Sequence, residues 1–424
     1  MMQGSEVLLG AKWASMASPE PILRTAVPSP LYRSFDYLPP REGPLPEVGA
    51  RVLVPFGRAR RVGVVLDIVP ESEIPPERLK RALTAIDRQC LLPADLLRLG
   101  TWLATYYKQP IGEAFATLLP TLVRQGQAAQ VQGESVWRLT EAGRRTRPET
   151  LKGAPRQGQL LAVLHRRPKG VTSADLDAVH SHWRGPLEGL VRKGLAVREQ
   201  RSCLPAGPPR SPQPAPPFTP AQSAAVESLS THLSGFHVSL LEGVTGSGKT
   251  EVYLALIEQV LARGRQVLML VPEIGLTPQL IERVQARFTR PLAVVHSGLT
   301  DRERLCAWSA ARDGRVDLVL GTRSAVFTPL PRPGLILVDE EHDPSYKQQE
   351  GMRYHARDVA ILRAKHLDVP VLLGSATPSL ETLRNCEQQR YERIFLTERA
   401  TGARMPRVGL LDVRHRRLEA GLSE

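Results

Sequence analysis

Residues 237–242 (HVSLLE) and 251–262 (EVYLALIEQVLA) flank the segment Gly243-Val-Thr-Gly-Ser-Gly-Lys249-Thr250, and no other feature limits the fold of this chain so severely. The pattern GxxxxGK[ST] between a strand and a helix is a phosphate-binding loop. Gly243, Gly246 and Gly248 let the backbone curl, so that its N–H groups, those of Thr245 and Ser247 among them, face phosphate oxygens. Lys249 then reaches the terminal phosphates, and Thr250 supplies a ligand for Mg²⁺. A chance glycine-rich turn would need neither the strand before it nor the helix after it. ATP and magnesium are therefore the expected cofactors of this part of the chain.

Other motifs stand where such a domain needs them. Four apolar strand residues, Leu335 to Val338, deliver Asp339-Glu340-Glu341-His342 to a sheet edge. Asp339 would hold the metal and Glu340 would orient or deprotonate a water; both belong with Lys249 and His342 to the expected catalytic set. Gly374-Ser375-Ala-Thr377-Pro-Ser379 follows the strand-like VPVLLG and resembles the SAT motif of superfamily 2 helicases. There the hydroxyls, here Ser375 and Thr377, couple nucleotide state to movement along a strand. This order of motifs favours a helicase motor over kinases, GTPases and transport ATPases. Phe218-Thr-Pro-Ala-Gln222 resembles an adenine-reading segment with Gln222 on the base edge. Segments 271–278 and 321–324 resemble those that hold single-stranded DNA by its backbone. Arg323 in the second adds charge, or serves equally well as an internal salt-bridge partner.

The rest of the chain divides around this lobe. Its 424 residues are enough for about three domains. Fifty-six Lys and Arg against 43 Asp and Glu give a net charge of +13, which favours a polyanionic partner. Residues 1–20 lack the layout of a secretion signal and read as a disordered extension or the product of an upstream start codon. Val- and Ile-rich runs at 50–55 and 61–69 predict a small β-rich domain over 21–124, with a helix over 92–107. Helical stretches near 160–165, 173–180 and 184–193, then a strand at 195–200, resemble a winged helix over 125–203. A plain helical spacer would read the same way. Ser173 is the expected helix cap. Residues 204–217 form a proline-rich linker, 218–405 the ATP-binding lobe with strands at 238–241, 266–271, 292–296, 316–321, 335–338 and 369–373, and 406–424 the start of a further connection. The fold class is thus multidomain α/β. Cys90, Cys203, Cys306 and Cys386 are scattered without a CxxC pair, so neither a zinc knuckle nor a disulfide framework is expected, which suits a reducing cytoplasm. No apolar run is long enough to suggest a membrane span.

Behind the acidic motif runs Asp343-Pro-Ser-Tyr346-Lys347-Gln-Gln-Glu-Gly-Met-Arg353-Tyr354-His355-Ala-Arg357-Asp358. Its interleaved aromatic and basic residues suit base stacking and phosphate contact. It resembles the aromatic-rich loop of the PriA family of replication restart helicases, in which Met352 would usually be a large aromatic. Ser34-Phe35-Asp36-Tyr37, Val54-Pro-Phe56-Gly57-Arg58 and Tyr106-Tyr107 through Gly112 resemble that family's 3′-DNA-end-binding domain, and the likeness runs from about residue 21 to 415. The resemblance implies a pocket for a terminal nucleotide at Phe35, Asp36, Gly57 and Lys80. Asp36 would accept from the 3′-hydroxyl and Lys80 would meet a phosphate; without the resemblance Phe35 and Tyr37 read as core. It further implies ATP-dependent unwinding of 3′-to-5′ polarity at forked DNA in the cytoplasm, contacts with single-stranded DNA, and partnership with single-strand-binding and helicase-loading proteins. The family's second lobe, with its zinc-binding cysteines and arginine fingers, would follow residue 424. Hence no zinc site is expected here, and this polypeptide alone would not unwind duplex. The alternative to a helicase is a scaffold that binds forks and assembles the primosome.

Overall fold

Turn residues cut the stretch from Ile22 to Ala85 into short strands, and the alternation of their apolar residues decides which faces meet. The computed structural model describes residues 20–130, 133–178, 182–201, 203–204, 214–288, 290–399, 412 and 414. Nearly all of the segment expected to be a disordered extension, most of the expected proline-rich linker and nearly all of the expected final connection lie outside the described residues. In the first domain β1 (Ile22–Ala26), β2 (Phe35–Leu38), β3 (Arg51–Phe56), β4 (Ala59–Val69), β5 (Lys80–Arg81) and β6 (Thr84–Ala85) form one sheet in the order β5-β2-β1-β4-β3-β6. Leu23, Tyr37, Val52, Val54 and Val65 share one core with Ala82. The β3–β4 hairpin closes at Gly57, whose φ of +59° suits a tight turn. Helices α1 (Ala94–Tyr106), α2 (Ile111–Thr117) and α3 (Thr121–Arg124) pack beside the sheet. Arg51 is fully buried and joins these parts: its guanidinium reaches both Asp87 oxygens, at 2.7 and 2.8 Å, and donates to the carbonyls of Val123 and Gln127.

A second unit contains β7 (Glu134–Leu139), α4 (Glu141–Arg145), α5 (Pro155–Arg166), β8 (Val171–Thr172), α6 (Ser173–Asp177), α7 (Arg184–Arg192) and β9 (Ala196–Arg201). The strands pair antiparallel in the order β8-β7-β9. Trp137 and Trp183 meet edge to face at 5.1 Å, among buried Leu160, Leu161, Leu164, Leu187 and Leu190. The expected cap is displaced by one residue. Thr172, not Ser173, receives the Asp175 N–H on its hydroxyl, while the Asp175 carboxylate accepts from the Thr172 N–H. Asp175 is the acidic residue three positions on that such a reciprocal cap requires.

The lobe begins with α8 (Pro220–Thr231), then β10 (Val238–Gly243), α9 (Lys249–Ala262), β11 (Gln266–Leu270), α10 (Pro278–Arg287), β12 (Leu292–Val295), α11 (Asp301–Arg312), β13 (Leu318–Gly321), β14 (Pro333–Val338), α12 (Ala356–Leu367), β15 (Val371–Ser375), α13 (Leu380–Glu387) and β16 (Glu392–Leu396). All seven strands run parallel in the order β12-β13-β11-β14-β15-β10-β16. The six predicted strands are present. β16 was not anticipated, because its sequence ERIFL carries two charges and lies at the sheet edge. β15 lies between β10 and β14, so the Ser375 end of one strand separates the phosphate loop from the acidic motif. Among the described residues no helix is long and apolar enough to cross a membrane.

The first domain and the lobe share one apolar cluster, to which α1 contributes Leu96, Leu99 and Leu103 and α12 contributes Val359, Ala360 and Ala364. Within this contact Arg363, 0% exposed, meets Asp95, 6% exposed, at 3.2 Å and donates to the Val326 carbonyl at 2.7 Å. Removing one partner of such a pair leaves the other charge buried, so Asp95→Ala is expected to cost about 3–5 kcal/mol. Thermal unfolding would show it, with the transition of the first domain separating from that of the lobe. Cys203 and Cys306 form a disulfide, their Cα atoms 5.9 Å apart. This corrects the expectation that the cysteines make no disulfide: a separation of 103 residues in sequence says nothing about distance once α11 has folded back.

Candidate functional site

Gly248 caps α9 in the left-handed region with φ +86°, and Gly246 has φ +84°. These are backbone angles that a side chain would strain. A Cβ on Gly243 would stand 2.5 Å from Ser247 Oγ, which is itself buried without a partner. The loop is therefore a cradle of backbone N–H groups and one unpaired hydroxyl at the positive end of a helix, which suits an anion. Lys249, buried, donates from Nζ to the Gly243 carbonyl at 2.9 Å and lies 3.5 Å from Glu340 Oε1. Thr250 follows on the first turn of α9, and Thr245 is exposed. Gln222 does not present its amide to an adenine here. Its Oε1 accepts from the Thr219 N–H, completing the cap of α8, and its Nε2 donates to the Ser247 carbonyl at 2.9 Å. The residue expected to read a base instead ties α8 to the phosphate loop.

Across the cleft, Asp339 leaves β14 with its Oδ1 accepting from Tyr253 Oη at 2.9 Å. Burial, reinforced by the neighbouring Glu340 charge, raises the Asp339 carboxyl above the usual carboxylate range, against the opposing pull of Tyr253 and Lys249. Burial and the Asp339 charge push the Tyr253 hydroxyl well up in turn, so it keeps its proton and donates. Glu340 has φ +45°, a left-handed conformation costing a non-glycine residue on the order of 1–3 kcal/mol. The turn leaves Glu340 beside Lys249, so Lys249, Asp339 and Glu340 converge as the sequence requires. His342 joins the acidic motif to the hydroxyl motif: its Nδ1 lies 2.7 Å from Ser375 Oγ and its Nε2 3.2 Å from Thr377 Oγ1.

The aromatic and basic segment differs from its expectation. Tyr346 is 0% exposed and donates its hydroxyl to the Asp339 carbonyl at 2.6 Å; Tyr354 is 4% exposed and packs on Phe327 with ring centroids 5.0 Å apart. Neither ring offers a face to a base. Arg323 is the internal brace, donating to the carbonyls of Ser345 at 3.0 Å and Lys347 at 3.1 Å, and so it holds the loop rather than a phosphate. Lys347 and Arg353 are exposed and remain available to DNA. Met352, where a second aromatic was anticipated, is buried as well.

In the first domain the ring of Phe35 meets that of Phe56 edge to face at 5.0 Å, and Gly57, next along the chain, has open space where a Cβ would stand. Lys80 is exposed and stands opposite Tyr37 on the neighbouring strand, so the pleat turns it to the same face as Phe35. Asp36 points to the other face. Its carboxylate pairs with Arg24 at 3.2 Å and accepts from Ser72 Oγ at 2.7 Å. Phe35 and Lys80 thus share one face of the sheet, Gly57 lies in the turn next to Phe56, and the structure does not bring the Asp36 carboxylate to that face.

Both regions match known families. Residues 24–120 match the 3′DNA-binding domain (3′BD) of PriA, and residues 219–386 match the DEAD/DEAH box helicases. The replication restart protein PriA of Haemophilus influenzae is 40% identical over 409 residues, which cover 95% of this chain and 55% of that protein. The chain belongs to the PriA family. The PriA of Bacillus subtilis is 33% identical across 90% of this chain and 56% of its own length, and that of Chlamydia pneumoniae 33% identical across 86% and 49%. The chain spans about half the length of the curated relatives it matches. The helicase match implies use of ATP.

Several residues of this PriA-family site escaped the sequence reading. Glu341, fully buried, accepts from Arg357 at 2.8 Å, from the Ser379 N–H at 2.7 Å and hydroxyl at 3.1 Å, and from Thr382 Oγ1 at 3.0 Å. It fastens the acidic motif to the start of α12 and to the segment after the hydroxyl motif. Its only sequence signal was a third carboxylate in a motif where two have work to do. Tyr253, the donor to Asp339, looked like one more apolar position on α9. Gly374 was quoted without a role, yet a Cβ there would fall 1.7 Å from Tyr253 Oη.

Proposed function

We propose that this chain acts in replication restart by holding a DNA 3′ end with its first domain and answering with ATP hydrolysis in the lobe. The observation that carries the reading is the convergence of Lys249, Asp339 and Glu340 beside the glycine cradle, in a lobe whose α12 is packed against α1 of the DNA-end domain. Lys249 and the loop N–H groups bind the phosphates, and Glu340 orients the attacking water and takes its proton. The hydroxyl of Thr250 and the carboxylate of Asp339 are hard oxygen donors that fit Mg²⁺; bound there, the ion neutralises charge developing on the phosphates. His342 passes the state of that site to Ser375 and Thr377.

The finer parts of the proposal are movement of 3′-to-5′ polarity, abandoned forks as substrate, a winged-helix role for the β7–β9 unit, and cooperation with single-strand-binding and helicase-loading proteins. Phe35 and Lys80 bind the terminal nucleotide, and Lys347 and Arg353 bind phosphates of the single strand. The test is fluorescence anisotropy with forked DNA carrying a free 3′-hydroxyl at the branch. Blocking that end with a phosphate is expected to weaken binding at least about tenfold, since a group held in close contact tolerates no added bulk or charge. Equal affinity for free and blocked forks would remove the end-binding role. Hydrolysis that the fork does not stimulate would remove the coupling.

A further inference from the structure

Far from the nucleotide cleft, at the opposite end of β10, three metal-ligating side chains gather. His232 follows the last residue of α8, His237 immediately precedes β10, and Glu392 opens β16. The short turn between helix and strand stacks the two imidazoles, with centroids 4.0 Å apart and planes 11° from parallel. Parallel pairing of Ser239 with Glu392 brings the carboxylate alongside them. Glu392 Oε2 lies 3.2 Å from His237 Nε2 and 3.6 Å from His232 Nε2, and ligand atoms of all three residues fall within 4.8 Å of one another.

Those separations suit coordination. A tetrahedral ion with bonds of about 2.0–2.1 Å holds its ligand atoms about 3.3 Å apart, close to both carboxylate–imidazole spacings; the two part-exposed rings, stacked 11° from parallel, turn apart on binding so that both Nε2 lone pairs aim at one ion. The carboxylate is also held in place from outside. Ser228 Oγ donates to Oε1 at 2.9 Å and Ser239 Oγ to Oε2 at 3.2 Å, the kind of supporting bond that fixes a ligating group. All three groups are partly exposed, so an ion can enter from solvent and keep a water in the fourth position.

We propose that His232, His237 and Glu392 form a binding site for a divalent transition metal, with zinc as the first candidate. Two nitrogens and one oxygen suit zinc, whereas magnesium takes oxygens. The site is separate from that of the nucleotide, because the six residues of β10 at about 3.3 Å each set it about 20 Å from the phosphate loop. The expectation of no zinc rested on the cysteines and did not consider this histidine pair. A bound ion ties the end of α8, whose first turn carries Gln222, to the edge strand β16.

The test titrates the chelator-treated 424-residue protein with Co²⁺ and then Zn²⁺. The expected result is the visible spectrum of tetrahedral cobalt, saturating at one equivalent and bleached by zinc, without the near-ultraviolet thiolate band that binding at Cys90 or Cys386 would give. His237→Ala should weaken zinc at least tenfold, and the His232→Ala/His237→Ala pair should abolish the cobalt spectrum. If His237→Ala fails to fold, His232→Ala at the more exposed helix end and Glu392→Gln, which keeps the shape of the carboxylate, carry the same expectation. Retained binding of a fluorescent ATP analogue verifies the fold of each variant. No cobalt spectrum in the parent protein, a thiolate band, or equal zinc uptake by parent and double variant would each overturn the proposal, leaving a hydrogen-bonded histidine cluster only.

Discussion

Glu340→Gln is expected to bind ATP as the parent does and to hydrolyse it about 10²–10⁴-fold more slowly, the range a positioned general base contributes. The amide keeps the length of the side chain and can still orient a water, but it cannot take the proton. Glu340 lies against Lys249 rather than in the sheet core, and its unusual φ belongs to the backbone turn, so glutamine can occupy the same place. The stability of the variant should stay within about 0.5 kcal/mol, since the group is part-exposed and its contact with Lys249 is long. Single-turnover hydrolysis on forked DNA measures the chemistry, and a fluorescent nucleotide measures binding. Lys249→Ala supplies the contrast, because it should lose nucleotide affinity as well as turnover. Undiminished single-turnover hydrolysis in Glu340→Gln would show that another group activates the water.

Glu341→Ala addresses the neighbouring carboxylate, and its largest effect is on folding. The buried carboxylate satisfies Arg357, two donors of Ser379 and the hydroxyl of Thr382. Without it the Arg357 guanidinium keeps Asp358 and the Ser379 hydroxyl but loses its buried counter-charge. The cost is about 3–5 kcal/mol, read as a lower urea midpoint with little change in slope. Glu341→Gln keeps the shape and one acceptor, so a smaller loss there would separate charge from packing. DNA stimulation of hydrolysis should fall in both variants, because the acidic motif and the segment after the hydroxyl motif are no longer fastened together. A Glu341→Ala protein of parental stability would mean that water or a shifted Arg357 replaces the carboxylate.

Local chemistry was legible in the sequence, and chemistry assembled from distant segments was not. The phosphate loop is eight consecutive residues whose geometry follows from their own glycines, and the strands that present it are nearly continuous apolar runs. Lys249, Asp339 and Glu340 converge because the parallel sheet brings strand ends to one edge, which the alternation of strands and helices already implied. Glu341 gave no such signal, since its donors arrive from positions 16 to 41 residues away. Tyr346 and Tyr354 read as surface because charged residues surround them in sequence. The fold turns both tyrosines inward, with Arg323 holding the loop's carbonyls, while Lys347 and Arg353 stay outside. Asp36 was misplaced for a related reason: the resemblance supplied a set of residues, whereas the two-residue alternation of a strand decides which side each one faces.

Helix α12 carries a mechanical consequence. Its twelve residues make a rod about 18 Å long. At one end Arg357 grips Glu341 while the preceding His355 donates its N–H to Tyr107; farther along, Arg363 grips Asp95. The DNA-end domain therefore holds the rod at three points, Arg98 donating to the His366 carbonyl as well, and the acidic motif holds it at one. A tilt of that domain would thus reach the residue next to Glu340 through α12.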